Sequence, residues 1–371
     1  MSETLTSEDP RTATALPPVD ISSSDLSNLD LLRTIAVGLV FARHLLDVAH
    51  NPTNAIFYPQ ALGILGVLLF FVHTTLVLMM SMDRHGSLGK GFTWAAFSSF
   101  MVRRVFRIYP LSIITVLITF FVLFPLSLYP HTSPTIRQLV SNLLLTQNLT
   151  HSRSVIGPLW SLPLEVQMYL FLPFLYIAAN RWGYRFLMLV VWPVSVVLGL
   201  ITYRFHLNQQ ITAYAPCFIP GAIAFDLLRR RERRALPFWV LPAGIFVLAI
   251  LYMAAVKRYS AIYVFGFPVC LALGLLLTHV KEIPPRFAKL KILFKTIAKY
   301  SYGFYLFHDI FISIVFYHCP WLPLAARLPV TLLLTGITSY IGYQLIEAPL
   351  IRVGSRVASS VDSRWHPARI S

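Results

Sequence analysis

The chain has 371 residues, of which 56% are hydrophobic and only 12% charged, about half the charged fraction of an ordinary soluble domain. That leaves too little polar surface to cover a soluble core, so the composition points to an all-α, polytopic integral membrane protein whose helices satisfy their own backbone in lipid. The formal net charge of +16 would suggest nucleic acid in a soluble protein, but the basic residues stand in short segments between apolar runs, so the lipid bilayer is the expected partner and nucleic acid is not.

Residues 1–29 are polar and rich in Ser, Thr and Pro. They show no basic start, short apolar stretch and small-residue cleavage site of a secretory signal, and they read as a disordered cytoplasmic tail. The first apolar run, 31–49, holds Arg33, Arg43, His44 and Asp47. Ionisable groups inside a bilayer are costly and usually mark function. Arg33 and His44 are eleven residues apart, nearly three turns and about 16 Å of rise, so they share one helix face. Asp47 lies three residues beyond His44 and four beyond Arg43, within reach of either. An imidazole accepts and returns a proton near neutral pH, so His44 oriented by a carboxylate could deprotonate a hydroxyl. The plainer alternative is a packed, hydrogen-bonded histidine near the interface.

The second run, 59–82, places His73 beside Thr74 and Thr75, either as a helix–helix polar contact or as support for a site. The third, 104–128, opens with FMVRRVFRIYP. Arg103, Arg104 and Arg107 stand within five residues, more than membrane anchoring requires, and a guanidinium fork meets phosphate oxygens bidentately. They read as a clamp for a phosphorylated ligand or as ordinary anchors. Segment 137–148 is a weaker run that reads as an interfacial or short re-entrant helix and leaves the span count open, ending at the glycosylation sequon Asn148-Leu149-Thr150. The fourth run, 159–179, carries Glu165 between Trp160 and Tyr169, and a carboxylate at that depth needs a partner.

Further runs fall at 184–204, 211–228, 236–254 and 260–279. The three cysteines have no metal or redox spacing, so no metal site is expected. In the ninth run, 298–317, His308 and Asp309 are adjacent and point apart; Asp309 is four residues from Tyr305 and within reach of its hydroxyl. The tenth, 325–346, is closed by Glu347 and Pro349, with Glu347 the natural partner of Arg103, Arg104 or Arg107. Residues 353–371 read as a second polar cytoplasmic tail.

Ten spans put both termini on one side. With the N terminus in the cytoplasm, 24 of the 31 Lys and Arg fall on inside segments and 6 outside, with Arg43 inside a span. That is the bias of the positive-inside rule. It places the arginine cluster at the cytoplasmic end and His44 with Glu165 in the outer half.

The segments LDLLRTIAVGLVFARH, LGVLLFFVHTTLVLM, FMVRRVFRIYP, GPLWSLPLEVQMYLFLP, SYGFYLFHDIF and IEAPLIR give the chain, from about 29 to 352, an order and content that resembles the acyltransferase 3 family of membrane O-acyltransferases. The resemblance implies a transmembrane acyltransferase domain at 30–352. It implies transfer of an acyl group, most often acetyl, from acyl-coenzyme A to a hydroxyl of a carbohydrate, glycolipid or related acceptor, in the plasma (inner) membrane if the host is bacterial. It implies Arg33, His44 and Glu165 as catalytic residues and Arg103, Arg104 and Arg107 as donor-binding residues, with Asp47, His73, Tyr169 and His308 in support. FFVHTTL stands where the family often has FFVLSGF, and PLEVQMY where it has SVEEQFY; these departures bear on the acceptor more than on the reaction. The rivals are a transporter or flippase of a glycan or lipid-linked substrate, which would not explain the arginine cluster, and a non-catalytic membrane partner descended from an acyltransferase.

Overall fold

A computed structural model describes residues 26–49, 59–85, 93–129, 134–207, 210–230, 235–259 and 261–365. Residues 1–25 of the first tail, 231–234 of RRRERR and 366–371 lie outside them. The described residues form an all-helical bundle: α1 (Ser27–Ala49), α2 (Pro59–His85), α3 (Trp94–Ile118), α4 (Ile136–Leu143), α5 (Leu162–Phe186), α6 (Trp192–Arg204), α7 (Ile211–Arg230), α8 (Val240–Tyr259), α9 (Ile262–Leu277), α10 (Ala288–His318), α11 (Leu324–Gly342) and α12 (Ala348–Trp365).

Among the described residues, six helical runs are long and apolar enough to cross a membrane: Gln60–Arg84, Trp94–Leu123, Gly157–Arg204, Ile211–Arg230, Val240–Tyr259 and Leu324–Val361. Gly157–Arg204 holds two of the ten expected spans. They are divided at Gly183, whose φ of 74° and ψ of −179° break the helix and suit glycine alone. Asp226 of α7 repairs the break by accepting the freed Tyr184 N–H at 2.7 Å. The α2 and α7 runs are 72% and 83% buried, against 17% for the run containing α11, so α2 and α7 form the centre. Outward-facing Leu189, Phe246 and Leu345 remain exposed, which suits an apolar solvent. Arg33, His44 and Asp47 sit on α1 and His308 on α10, which pack on each other, with α1 also against α2; Arg103, Arg104 and Arg107 sit on α3 and Glu165 on α5.

The weak segment at 137–148 is in part the short helix α4, started by a capping box between Thr135 and Gln138. The sequon that follows is closed off: Asn148 is 2% exposed, and its amide exchanges hydrogen bonds with Gln167 at 2.9 and 3.3 Å. Residues 353–365, part of the segment read as a polar tail, are helical. Gly354 and Ala358, four apart, are buried in α12, and α12 packs on α3 with Gly354 against Phe106. A small-residue stripe thus docks an otherwise polar helix.

Candidate active site

Three adjoining cavities run in series through the bundle, and the candidate residues other than Arg103 and His308 divide among them. The largest, about 500 Å³, is lined by His44, Arg43, Asp47, Tyr129, Gly157 and Asp309, with an aromatic wall that includes Trp160, Tyr214, Tyr263 and Tyr317. His44 Nδ1 lies 3.0 Å from Asp309 Oδ1, and the two side chains are 11% and 17% exposed, open to the cavity and little else. The other carboxylate oxygen accepts the Tyr129 hydroxyl, whose oxygen accepts the Gly157 N–H at 3.1 Å. This chain assigns the His44 proton to Nδ1 and leaves Nε2 as the basic nitrogen. A carboxylate that fixes the tautomer and offsets the charge of an imidazolium is the arrangement a general base requires.

The competition over Asp47 resolves toward Arg43, whose Nη2 lies 2.9 Å from Asp47 Oδ2. The carboxylate that orients His44 is Asp309, from another helix. Asp309 does not bond Tyr305 either: the Tyr305 hydroxyl donates to Pro158 O at 2.7 Å and meets Ser161 Oγ at 2.7 Å. In both places a neighbour within one helix loses to a group that packing brings across the bundle. Gly157 makes that approach possible, since a Cβ there would stand 2.7 Å from Asp309 Oδ2 and 3.3 Å from His44 Cε1.

The second cavity, about 110 Å³, contains Arg33, Arg104, Arg107, Glu165, Tyr169 and His73. Glu165 is therefore grouped with the arginines, not beside His44. The local geometry explains the depth. From Gly157 the chain runs through the 3₁₀ turn Gly157–Ser161 into α5, descending about 15 Å by Glu165, close to the rise separating His44 from Arg33. Glu165 accepts the Tyr169 hydroxyl. Arg33 Nε donates to Ser301 Oγ at 2.5 Å, and Arg107 pairs with Glu347 at 2.9 Å, as expected for Glu347. Arg104 Nε is buried without a hydrogen-bond partner. Three guanidiniums face one lining carboxylate, so this cavity favours an anion. Arg103 is not on its wall; it donates to Ser99 Oγ at 2.6 Å within α3.

The third cavity, about 350 Å³, shares Arg33, His73 and Arg107 with the second and adds Arg84, Lys295, Lys299 and Asp30. Val67 and Tyr305 line both the second cavity and the His44 cavity, so they form the neck between them. His308 is fully buried with its ring 5.0 Å from that of His44. It donates from Nδ1 to Phe304 O at 3.1 Å and lines none of the three cavities.

The sequence reading missed the Asp309 contact, Tyr129, Gly157 and the mouth residues Arg84, Lys295 and Lys299. YLFHD and GPLWS signalled the first and third as segments. Tyr129, at the far end of a run, carried no signal.

A family model described as an acyltransferase domain matches residues 26–343. No curated protein and no solved structure matches the chain. The match covers most of the chain and takes in all three cavities, which sets aside a transporter without acyl chemistry: the chain belongs to the acyltransferase 3 family and is a membrane acyltransferase.

Proposed function

We propose that the protein is an O-acyltransferase of the plasma membrane that moves an acyl group, acetyl being the commonest in the family, from acyl-coenzyme A to a hydroxyl of a carbohydrate, glycolipid or related acceptor. The observation that carries the proposal is the His44–Asp309 pair in a chamber joined, through the Val67–Tyr305 neck, to a cavity lined by Arg33, Arg104 and Arg107. In this reading the bundle has ten spans and both ends face the cytoplasm. The donor enters past Arg84, Lys295 and Lys299, its phosphates rest among the arginines, and its thioester passes the neck to reach His44.

His44 Nε2 takes the proton of the acceptor hydroxyl as the oxygen attacks the thioester carbonyl, and returns it to the departing thiolate. Asp309 holds the imidazole in place and offsets its positive charge. The wall of Trp160, Tyr214, Tyr263 and Tyr317 offers flat apolar faces with polar edges, a surface that suits a sugar ring. Glu165 and Tyr169 position the arginine cavity, and the arginines supply charge-assisted hydrogen bonds to phosphate.

The test is transfer of labelled acetyl from acetyl-coenzyme A to envelope glycans and secreted metabolites, read by mass spectrometry. It compares membranes containing the wild type, His44→Ala and Asp309→Asn, with folding checked by gel filtration. Transfer lost in His44→Ala and strongly reduced in Asp309→Asn is the expected result. Undiminished transfer in His44→Ala would overturn the reading.

A further inference from the structure

We infer that Arg43 is a catalytic residue, the group that stabilises the oxyanion formed at the thioester carbonyl. The inference rests on the reading of His44 as general base. Four contacts set the position of this side chain. Its Nη1 lies 3.1 and 3.2 Å from the two ring nitrogens of His44. Its Nη2 is held by Asp47 at 2.9 Å, one turn further along α1. Its stem runs where α2 has no side chain: a Cβ on Gly63 would stand 2.8 Å from Arg43 Cγ and 2.9 Å from Cδ. And it lines the same chamber as His44 and Asp309.

An arginine serving only as a membrane anchor extends toward the headgroups and away from the bundle. Arg43 instead sets its guanidinium against the His44 ring, with a glycine behind its stem and a carboxylate beside it. A guanidinium keeps its proton under all working conditions, so it takes no part in proton transfer and acts through charge and hydrogen bonding alone. When an acceptor hydroxyl occupies the place beside Nε2, Nη1 is left a few ångströms from the carbonyl oxygen under attack.

The step balances within the residues and reactants named. The acceptor oxygen bonds to the carbonyl carbon as its proton passes to His44 Nε2. The carbonyl π pair moves to oxygen, and the resulting oxyanion accepts hydrogen bonds from Arg43. The double bond then re-forms, the carbon–sulfur bond breaks, and the thiolate takes the proton from His44. A fixed donor of this kind contributes on the order of a hundredfold to kcat.

The experiment uses the full-length protein in membranes, with labelled acetyl-coenzyme A as donor and the host envelope fraction as acceptor. Steady-state rates are compared for the wild type, Arg43→Gln, Arg43→Lys, Arg43→Ala, Gly63→Ala and His44→Ala. Arg43→Gln should lose about a hundredfold in kcat while its KM for acetyl-coenzyme A stays near the wild-type value. Arg43→Lys should retain more rate than Arg43→Gln. Gly63→Ala should lose rate in the same sense by displacing the stem. Added guanidinium should restore part of the Arg43→Ala rate and added sodium should not, a rescue that a purely structural role would not show.

Wild-type kcat in Arg43→Gln, or a loss confined to KM, overturns the assignment. The His44 control separates the two levels. An inactive His44→Ala with a fully active Arg43→Gln removes Arg43 alone, whereas a fully active His44→Ala removes the base reading and the Arg43 role with it.

Discussion

At Gly157 a single missing carbon decides whether the carboxylate paired with His44 can be where it is. The Gly157 N–H anchors the Tyr129 hydroxyl at 3.1 Å, and the bare Cα lets Asp309 come close enough that an added methyl would stand 2.7 Å from its Oδ2. The atom in the way belongs to a carboxylate held by His44 and Tyr129, so Gly157→Ala must move Asp309 off the imidazole. Acyl transfer should fall by at least about tenfold, since an ångström of misplacement at a reacting group costs that much or more, while the thermal midpoint changes by only a few degrees. Tyr129→Phe tests the same chain from its middle. It takes one hydrogen bond from a carboxylate sheltered from water, worth about 1.5–3 kcal/mol, and should lower kcat by about tenfold with the donor KM unchanged. The sequence pointed to these groups unequally. His44 stood out because a histidine in an apolar run is rare, and its spacing from Arg33 could be counted along one helix. Its carboxylate partner could not be counted, because Asp47 is near in sequence whereas Asp309 arrives from α10 through packing that no spacing encodes.

Elements set the depth at which each group sits, and here helix ends matter more than helix centres. Glu165 falls among the arginines because a 3₁₀ turn and the first turn of α5 carry it inward from Gly157; an apolar run read as a plain span left it near the outer end. The ninth run was legible from 298, yet α10 begins at Ala288, and the added turns bring Lys295 to the mouth beside Lys299, Arg84 and Arg33. If those cations meet the donor phosphates, the double variant Lys295→Ala/Lys299→Ala should raise the KM for acyl-coenzyme A by about tenfold. Its kcat should stay the same, and the difference should narrow at high salt, since exposed charges are screened. The junction of α11 and α12 makes a stability prediction. Glu347 is 1% exposed and pairs with Arg107 of α3, so Glu347→Ala leaves a guanidinium facing an arginine-rich cavity without its counter-charge. Arg107 is 25% exposed, so leaving it unpaired costs less than a fully buried charge would, about 1–3 kcal/mol. The variant should show a clearly lower thermal midpoint in detergent, and the double variant Arg107→Met/Glu347→Met should recover part of it while losing donor binding.

Across the whole molecule, acyl transfer by the proposed route needs one end of the bundle to take up the donor and the other to hold the base, and α1 and α10 both connect those ends. They pair Arg33 with Ser301 at one level and His44 with Asp309 at the other. These two helices thus carry the His44–Asp309 pair, and neither is among the six described runs apolar enough to span by composition. Both carry charged and polar side chains toward the cavities, and those groups lower the helices in a hydropathy count. Lys295 and Tyr317 are 22 residues apart on α10, about 33 Å along a helix, enough to cross a hydrocarbon core of about 30 Å. In the proposed ten-span orientation, which the 24-to-6 distribution of Lys and Arg supports, Lys295 faces the cytoplasm. In a background with Cys319→Ser, where Cys217 and Cys270 are buried, Lys295→Cys should react with a membrane-impermeant maleimide only in inside-out vesicles, and Tyr317→Cys only in intact cells. Reaction of both from the same side would mean that α10 does not cross, and the two-ended site would fall with it.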